Sequence, residues 1–401
     1  MRTFARALLG SALFTATLAA TGSSRADVTV YQSAESGFEL NLYGWVQPRF
    51  TVQQSDDRPI INLHPNPAFT VQRARLGTVA KLGEWGRAQV EVDFSKETAN
   101  PLDAYVVFSP IHEKVASLNI QFGQFRVPFS RQNLIPSIGL QLSDMAYFVR
   151  QSFIVDRDIG GMLWGDLFDG RARWSAGIFN GNDPGKGQTQ NSDPYFLWAA
   201  RLEASPFGRA PRYEGDLRPL DEQKKFIVTA AASAMRNRLD DKHFNRNYFG
   251  ADLAAYWRGA SLYGEFYYHV DVPVFTTGPN AAAEVKQLGW NIQAGYFPPL
   301  PWVKEHLELV GRVEYIDPNI DVKKPTNDNG ARDLDQSNPT WGFMGFLFGG
   351  NVFLNHEHTF KLQANYEIRN ETKPCLAGQS GSKCTGAIAN NLFVVQATAG
   401  F

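Results

Sequence analysis

Apolar and polar side chains alternate at every second position along most of the chain. Between residues 358 and 370, for example, Phe360 and Leu362 alternate with Lys361 and Gln363. A period of two places one set of side chains on each face of a β-strand, whereas an amphipathic helix repeats about every 3.6 residues. Helical periodicity is almost absent, so the pattern predicts an all-β protein.

The alternating stretches predict sixteen strands. They cover residues 38–53, 68–82, 87–95, 102–110, 115–127, 160–168, 171–181, 195–206, 224–236, 247–258, 260–272, 286–298, 306–318, 339–350, 358–370 and 391–401. Strands of this length suit a tilted path across a bilayer and exceed the roughly five or six residues that are usual in soluble β-proteins.

The connections between the predicted strands fall into two classes. Those after even-numbered strands are mostly tight, such as Asp169-Gly170, and those after odd-numbered strands are mostly long. Short turns at one end and long loops at the other are typical of single-chain outer-membrane barrels. Two connections, 207–223 and 298–305, are long although they belong to the side of the short turns.

These features together predict a 16-stranded antiparallel transmembrane β-barrel. A β-structure in lipid has to close on itself so that every backbone polar group finds a partner. Sixteen strands enclose more space than side chains fill, which leaves a water-filled lumen. The apolar faces are therefore expected to contact outer-membrane lipid, and the polar faces are expected to line the lumen.

Composition and charge exclude several other classes. Hydrophobic residues make up 43% of the chain and charged residues 20%, which does not fit a disordered protein. Mean hydropathy is −0.29, and past the N-terminus no run of apolar residues is long enough for a membrane-spanning helix. The formal net charge is only −1, so a nucleic-acid partner is not expected.

The first 26 residues have the features of a signal peptide. Basic Arg2 and Arg6 precede an apolar stretch, and small residues follow at Ser24 and Ala26. Cleavage there leaves residues 27–401 as a single barrel domain and, by removing three arginines, changes the net charge from −1 to −4. In an exported chain the two cysteines, Cys375 and Cys384, are expected to form a local disulfide, and no metal site or cofactor is expected.

The third long loop, residues 128–159, is too apolar for a solvated surface loop. It contains Ile135, Ile138, Leu140 and Phe148, which need cover. Folding into the barrel would bury them, so this loop is expected to narrow the lumen.

Arginines on and near this loop are the candidate anion-binding residues. The planar guanidinium group donates two parallel hydrogen bonds to phosphate or carboxylate. The candidates for the constriction are Arg73, Arg75, Arg126, Arg131, Arg150 and Arg157. The alternative interpretation of any one arginine is an ion pair with a wall carboxylate such as Glu91, Asp93, Glu203, Glu308 or Glu314.

Five short runs carry a resemblance to a known family. They read QRARLG at 72–77, LDAY at 102–105, GQFRVPFS at 123–130, RDIG at 157–160 and GIFNG at 177–181. Their order and spacing resemble the phosphate-selective porin O and P family, and the last strand, ending at Phe401, resembles the recognition strand of bacterial outer-membrane barrels. The resemblance implies a homotrimeric outer-membrane channel that passes small anions down their gradient.

The sequence therefore predicts an outer-membrane porin of a Gram-negative bacterium that is not an enzyme. Small hydrophilic solutes would diffuse through it passively, with a preference for small anions such as phosphate. Three alternatives stay open: a general or weakly selective porin, a barrel-based outer-membrane enzyme, and a surface protein whose long loops carry the function. The chain contains no G-x-S-x-G, H-E-x-x-H or P-loop motif.

Overall fold

The structure is a computed structural model. It describes residues 27–54, 67–150, 154–181, 191, 193–239, 244–274, 284–320, 342–371 and 390–401. The predicted signal peptide and the predicted disulfide between Cys375 and Cys384 lie outside the described residues.

Almost all the regular secondary structure of the described residues is β-strand. The strands are Val28–Ser33 (β1), Phe38–Gln53 (β2), Ala68–Leu82 (β3), Gly86–Asp93 (β4), Asn100–His112 (β5), Ser117–Arg126 (β6), Arg157–Leu167 (β7), Ala172–Phe179 (β8), Leu197–Ala204 (β9), Ile227–Leu239 (β10), Phe244–Trp257 (β11), Ala260–Pro273 (β12), Val285–Tyr296 (β13), Leu307–Asp317 (β14), Phe343–Phe353 (β15), Phe360–Glu371 (β16) and Leu392–Gly400 (β17). Helical structure in the described residues is confined to the short helices Arg131–Leu134 (α1) and Tyr147–Arg150 (α2) and one 3-10 turn, Ser137–Gly139. No helix among them is both long and apolar enough to cross a membrane.

Strands β2 to β17 form a closed antiparallel barrel of sixteen strands, as the sequence predicts. Each strand pairs with the next along the chain, and β17 pairs with β2 from Leu392 opposite Gln53 to Gly400 opposite Trp45. The short strand β1 was not predicted. It pairs with β2 from Leu42 to Phe38 and thus continues the ladder beyond the end of β17.

The alternation in sequence becomes an inside and an outside of the barrel. In β16, Phe360 and Leu362 are 46% and 47% exposed, whereas Lys361 and Gln363 are 1% and 2% exposed. A soluble β-protein buries the apolar face of such a strand. Here the charged and polar faces are buried and the apolar faces are on the outer surface.

A β-bulge at Gln72 changes which side chains of β3 face inward. Gln47 pairs with Arg73, and the next residue, Pro48, pairs with Val71, so Gln72 has no partner in β2. Proline has no N–H to donate to the ladder, which makes this a favourable place for a bulge. Because of the extra residue, Val71 is exposed on the outer surface while Arg73 faces buried partners inside.

Candidate functional site

The connection between β6 and β7 contacts strands far from it in sequence. The Nζ atom of Lys361 donates to the carbonyl oxygen of Leu140 at 2.7 Å, and the backbone N–H of Ser143 donates to Oδ1 of Asn365 at 2.8 Å. Similar hydrogen bonds join residues 130–147 to the polar faces of β12, β13, β14 and β15. Residues 127–150 therefore contact the barrel wall opposite their own strands.

Apolar side chains of this connection are covered by aromatic residues of the wall. Phe129 and Phe148 are fully buried, and both of their rings lie against Tyr267 of β12, with ring centroids 5.1 and 5.3 Å away. Tyr147 stacks on Phe343 of β15 at 4.6 Å. The apolar residues that made the sequence of this loop unusual are thus buried inside the protein.

Three arginines surround the carboxylate of Asp144, which lies in this connection. Nη1 of Arg49 is 2.9 Å from Oδ2, Nη2 of Arg73 is 3.8 Å from Oδ1, and Nη1 of Arg150 is 3.8 Å from Oδ2. Burial alone would raise the pKa of Asp144, but the positive charges of Arg150, Arg49 and Arg73 hold this pKa well below its ordinary value of 3.8. We call these four residues the Asp144 cluster.

Arg75 is held by a different set of partners. Its Nε atom donates to Oδ2 of Asp93 at 2.9 Å, and Nη1 lies 3.3 Å from Oε1 of Glu91. Its guanidinium group also lies over the ring of Trp45 at 5.6 Å. Arg75 is therefore an ion-paired residue of the wall, which is the alternative interpretation raised for each arginine.

A cavity with a volume of about 530 Å³ lies inside the barrel. Strands β4 to β9 form one side of it, and the connections β6–β7 and β9–β10 form the other. We call this cavity the chamber. Its charged lining residues are Arg87, Glu91, Asp103, Arg126, Arg131, Arg157, Arg173, Arg201, Glu203, Arg209 and Arg212.

Eight arginines against three carboxylates give the chamber lining an excess of positive charge. Some of this charge is compensated, because Nε of Arg157 donates to Asp103 at 2.8 Å and Arg201 is bound to Asp252 of β11. Among the described residues, no carboxylate lies within 4.0 Å of the guanidinium nitrogens of Arg87 or Arg131. Arg131 is 8% exposed and donates to the carbonyl oxygen of Pro211, whereas Arg87 is exposed and is therefore the more accessible of the two.

Arg126 connects the wall of the chamber to the β6–β7 connection. Its Nη1 atom donates to the backbone carbonyl oxygens of Asn133 and Ile135, the latter at 2.7 Å, and its Nε atom is 4.0 Å from Asp156. This arginine therefore fixes the turn after α1 and also faces the chamber.

The six arginines predicted from the sequence separate into three groups. Arg126, Arg131 and Arg157 line the chamber, Arg73 and Arg150 belong to the Asp144 cluster, and Arg75 is paired within the wall. Their role in anion binding stays a prediction.

Five further chamber arginines are not among the six candidates: Arg87, Arg173, Arg201, Arg209 and Arg212. Arg87 is on the polar face of β4, so its position in the alternation could have indicated it. Arg209 and Arg212 follow β9 in a connection whose only unusual feature in the sequence is its length.

The fold of this barrel is similar to that of bacterial outer-membrane porins and channels. The outer membrane channel DcaP of Acinetobacter baumannii shares this fold with a TM-score of 0.58 and 13% identity over 93% of this chain and 100% of DcaP. OprB of Pseudomonas putida gives 0.58 and 11% identity over 92% of this chain and 95% of OprB.

The anion-selective porin from Comamonas acidovorans gives a TM-score of 0.55 and 11% identity over 91% of this chain and 100% of that porin. Neither a protein-family model nor a curated protein sequence matches this chain. At these identities the solved structures establish the fold. The resemblance to the phosphate-selective porin O and P family stays a prediction.

Proposed function

We propose that this protein is an outer-membrane porin through which small hydrophilic solutes diffuse passively. The observation that carries the proposal is the reversed distribution of side chains, with apolar residues exposed around the barrel and charged residues buried within it. Lipid tails are the environment in which an apolar outer belt is stable, and a charged interior requires water.

We infer that the β6–β7 connection narrows the channel. Its hydrogen bonds reach the polar faces of β2 and β12–β16, and a segment can reach those faces only from within the closed barrel. The inserted segment fills the side of the lumen next to these strands, so the solute path runs along β4–β9 through the chamber.

The proposed channel prefers small anions. The chamber lining carries more arginines than carboxylates, and charges that line a narrow pore determine which ions enter it. The anion-selective porin of Comamonas acidovorans is built on the same fold. Phosphate is the anion that the sequence resemblance suggests, and guanidinium groups can bind it through paired hydrogen bonds.

The remaining expectations complete this proposal. Residues 1–26 direct export and are removed, residues 27–401 form one barrel domain, and the protein is located in the outer membrane of a Gram-negative bacterium as a homotrimer. Mass measurement of the purified protein checks the cleavage site. Cross-linking in detergent checks the number of subunits.

Single-channel recording in planar lipid bilayers tests the function. The purified protein is expected to produce stepwise conductance, and the reversal potential in a KCl gradient is expected to indicate preference for chloride. Absence of conductance, together with hydrolysis of an ester or peptide by the folded protein, would favour the enzyme alternative over the pore.

Substitutions in the chamber test the anion preference separately. Arg87→Glu and Arg131→Glu should each shift the reversal potential toward cation preference, because each reverses a positive charge that has no described carboxylate within 4.0 Å. Lys114→Glu is the matched control, since Lys114 is exposed in the turn between β5 and β6 and does not line the chamber. If the reversal potentials of all three variants equalled that of the unchanged protein, the chamber would not determine the anion preference. Repeating the measurement with phosphate present tests whether phosphate occupies the same path.

A further inference from the structure

The connection between β9 and β10, residues 205–226, is far longer than a turn between neighbouring strands requires. It is also buried at its centre, where Tyr213, Glu214 and Asp216 are 3%, 2% and 5% exposed. Connections normally run over the protein surface, because water there satisfies their backbone groups. The burial of charged residues here requires partners inside the barrel.

Those partners are provided first by the polar faces of β11, β12 and β13. The hydroxyl of Tyr256 donates to the carbonyl oxygen of Tyr213 at 3.3 Å, and the N–H of Gly215 donates to the hydroxyl of Tyr263 at 3.0 Å. Nε2 of Gln293 donates to Oε2 of Glu214 at 3.0 Å. The centre of the connection is therefore bound to the inner face of the wall.

The same residues are also bound to the β6–β7 connection. The N–H of Glu214 donates to the carbonyl oxygen of Gly139 at 3.0 Å. The carboxylate of Glu214 accepts from the N–H of Gln141 at 2.9 Å and from Nε2 of Gln132 at 2.8 Å. Consecutive connections of an antiparallel barrel alternate between its two ends, so the two segments come from opposite ends and meet at Glu214.

Close packing accompanies these hydrogen bonds. The ring of Tyr213 packs with Ile138 and covers Gly139, where a Cβ atom would overlap the ring. The carbonyl oxygen of Pro211 accepts from Nη2 of Arg131 at 3.2 Å. Because Arg131 lines the chamber, the β9–β10 connection also helps to place one of the cations that face the solute path.

We propose that the β9–β10 connection is a second constriction element that enters the lumen from the end of the short turns. Glu214 is the positioning residue that joins it to the first constriction element. This inference rests on the proposed function, since it concerns the path through the same channel. The two joined segments confine solutes to the chamber along β4–β9, and neither segment alone would do so.

Replacement of Glu214 tests this assignment. In Glu214→Gln the side-chain amide would direct its own N–H groups toward the N–H donors of Gln132 or Gln141, so at least one bond between the segments is lost. Single-channel conductance should rise roughly twofold, and the open-channel current should fluctuate more, because the cross-section widens and varies. Glu214→Asp retains the carboxylate and should restore a quieter current.

A second variant removes the inserted segment itself. Deletion of residues 212–216, bridged by Gly-Gly, should raise conductance further and weaken the anion preference by releasing Arg131. Glu222→Gln is the matched control, because Glu222 belongs to the same connection but is exposed. Heat-dependent migration in gel electrophoresis verifies that each variant forms a barrel.

The outcomes separate this inference from the proposed function. Folded Glu214→Gln and deletion variants whose conductance and current noise equal those of the unchanged protein would overturn the second constriction element while leaving the pore intact. A protein without any conductance would overturn the proposed function, and this inference with it.

Discussion

Asp144→Asn is the substitution that most directly probes the charge balance of the lumen. The change keeps the size of the side chain and removes the negative charge that Arg49, Arg73 and Arg150 share, although Arg150 also lies 3.6 Å from Glu367. The β6–β7 connection should stay in place, because Lys361 and Asn365 bind it independently of Asp144. The main expected effect is therefore on the electrostatic potential in the lumen. The free energy of unfolding should fall by about 1.5–3 kcal/mol, because a charged hydrogen bond to Arg49 is lost.

The size of the electrostatic effect follows from Coulomb's law. Asp144 does not line the chamber, and its side chain is 12% exposed. An ion at a distance of about 6 Å from it in a water-like dielectric would interact with its charge by about 0.7 kcal/mol. Removing that charge favours an anion and disfavours a cation, so their difference changes by about 1.4 kcal/mol, which is about tenfold. Screening at about 0.1 M salt reduces the expected change in the permeability ratio to roughly threefold to tenfold.

The assay is the reversal potential in a KCl gradient across a planar bilayer. Asp144→Asn should shift it toward greater chloride preference, and adding Arg73→Gln should reverse most of this shift. Asp169→Asn is the matched control, because Asp169 is exposed in a turn at a φ of 56°, which asparagine tolerates. A shift toward potassium, or an equal shift in the control, would refute the assignment of Asp144 as the counter-charge of this cluster.

Three further predictions concern pH, orientation and backbone packing. The pKa of Asp144 lies below its ordinary value of 3.8, so the ionised carboxylate stabilises the folded protein fully above that pH and stops doing so as the pH falls toward the folded-state pKa. The difference in urea midpoint between the unchanged protein and Asp144→Asn should therefore persist from pH 7 to 5 and shrink only in stronger acid. Ile178→Arg on the outer face of β8 should destabilise the barrel in lipid by about 2–4 kcal/mol if residue 178 lies near the bilayer centre. Ser175→Arg should not destabilise it in this way, because Ser175 faces the chamber. Equal urea midpoints of the two variants would contradict the assignment of the outer and inner faces of β8. Gly123→Ala should lower the free energy of unfolding by about 1–3 kcal/mol, because Gly123 has a φ of 126° and a Cβ atom there would lie 2.7 Å from the Cα atom of Tyr105. An unchanged urea midpoint would show that the backbone of β5 moves to make room for the added methyl group.

The sequence alone determined the sixteen strands of the barrel and, away from the bulge at Gln72, their two faces. The bounds of β2 and β3 are those predicted, and the inward and outward residues of β16 follow the alternation from Phe360 onward. This succeeds because the period of two is a local property of an extended backbone. Within an uninterrupted strand, each residue therefore indicates its own face without reference to distant residues.

Only the tertiary structure decided which charged residues meet. Asp144 and Arg49 are 95 positions apart in sequence, and Glu214 meets Gln132 across 82 positions. Alternation indicates that a side chain points inward, but not which side chain faces it across the lumen. The partner depends on where each long connection packs, and this position is set by contacts between segments that are far apart in the sequence.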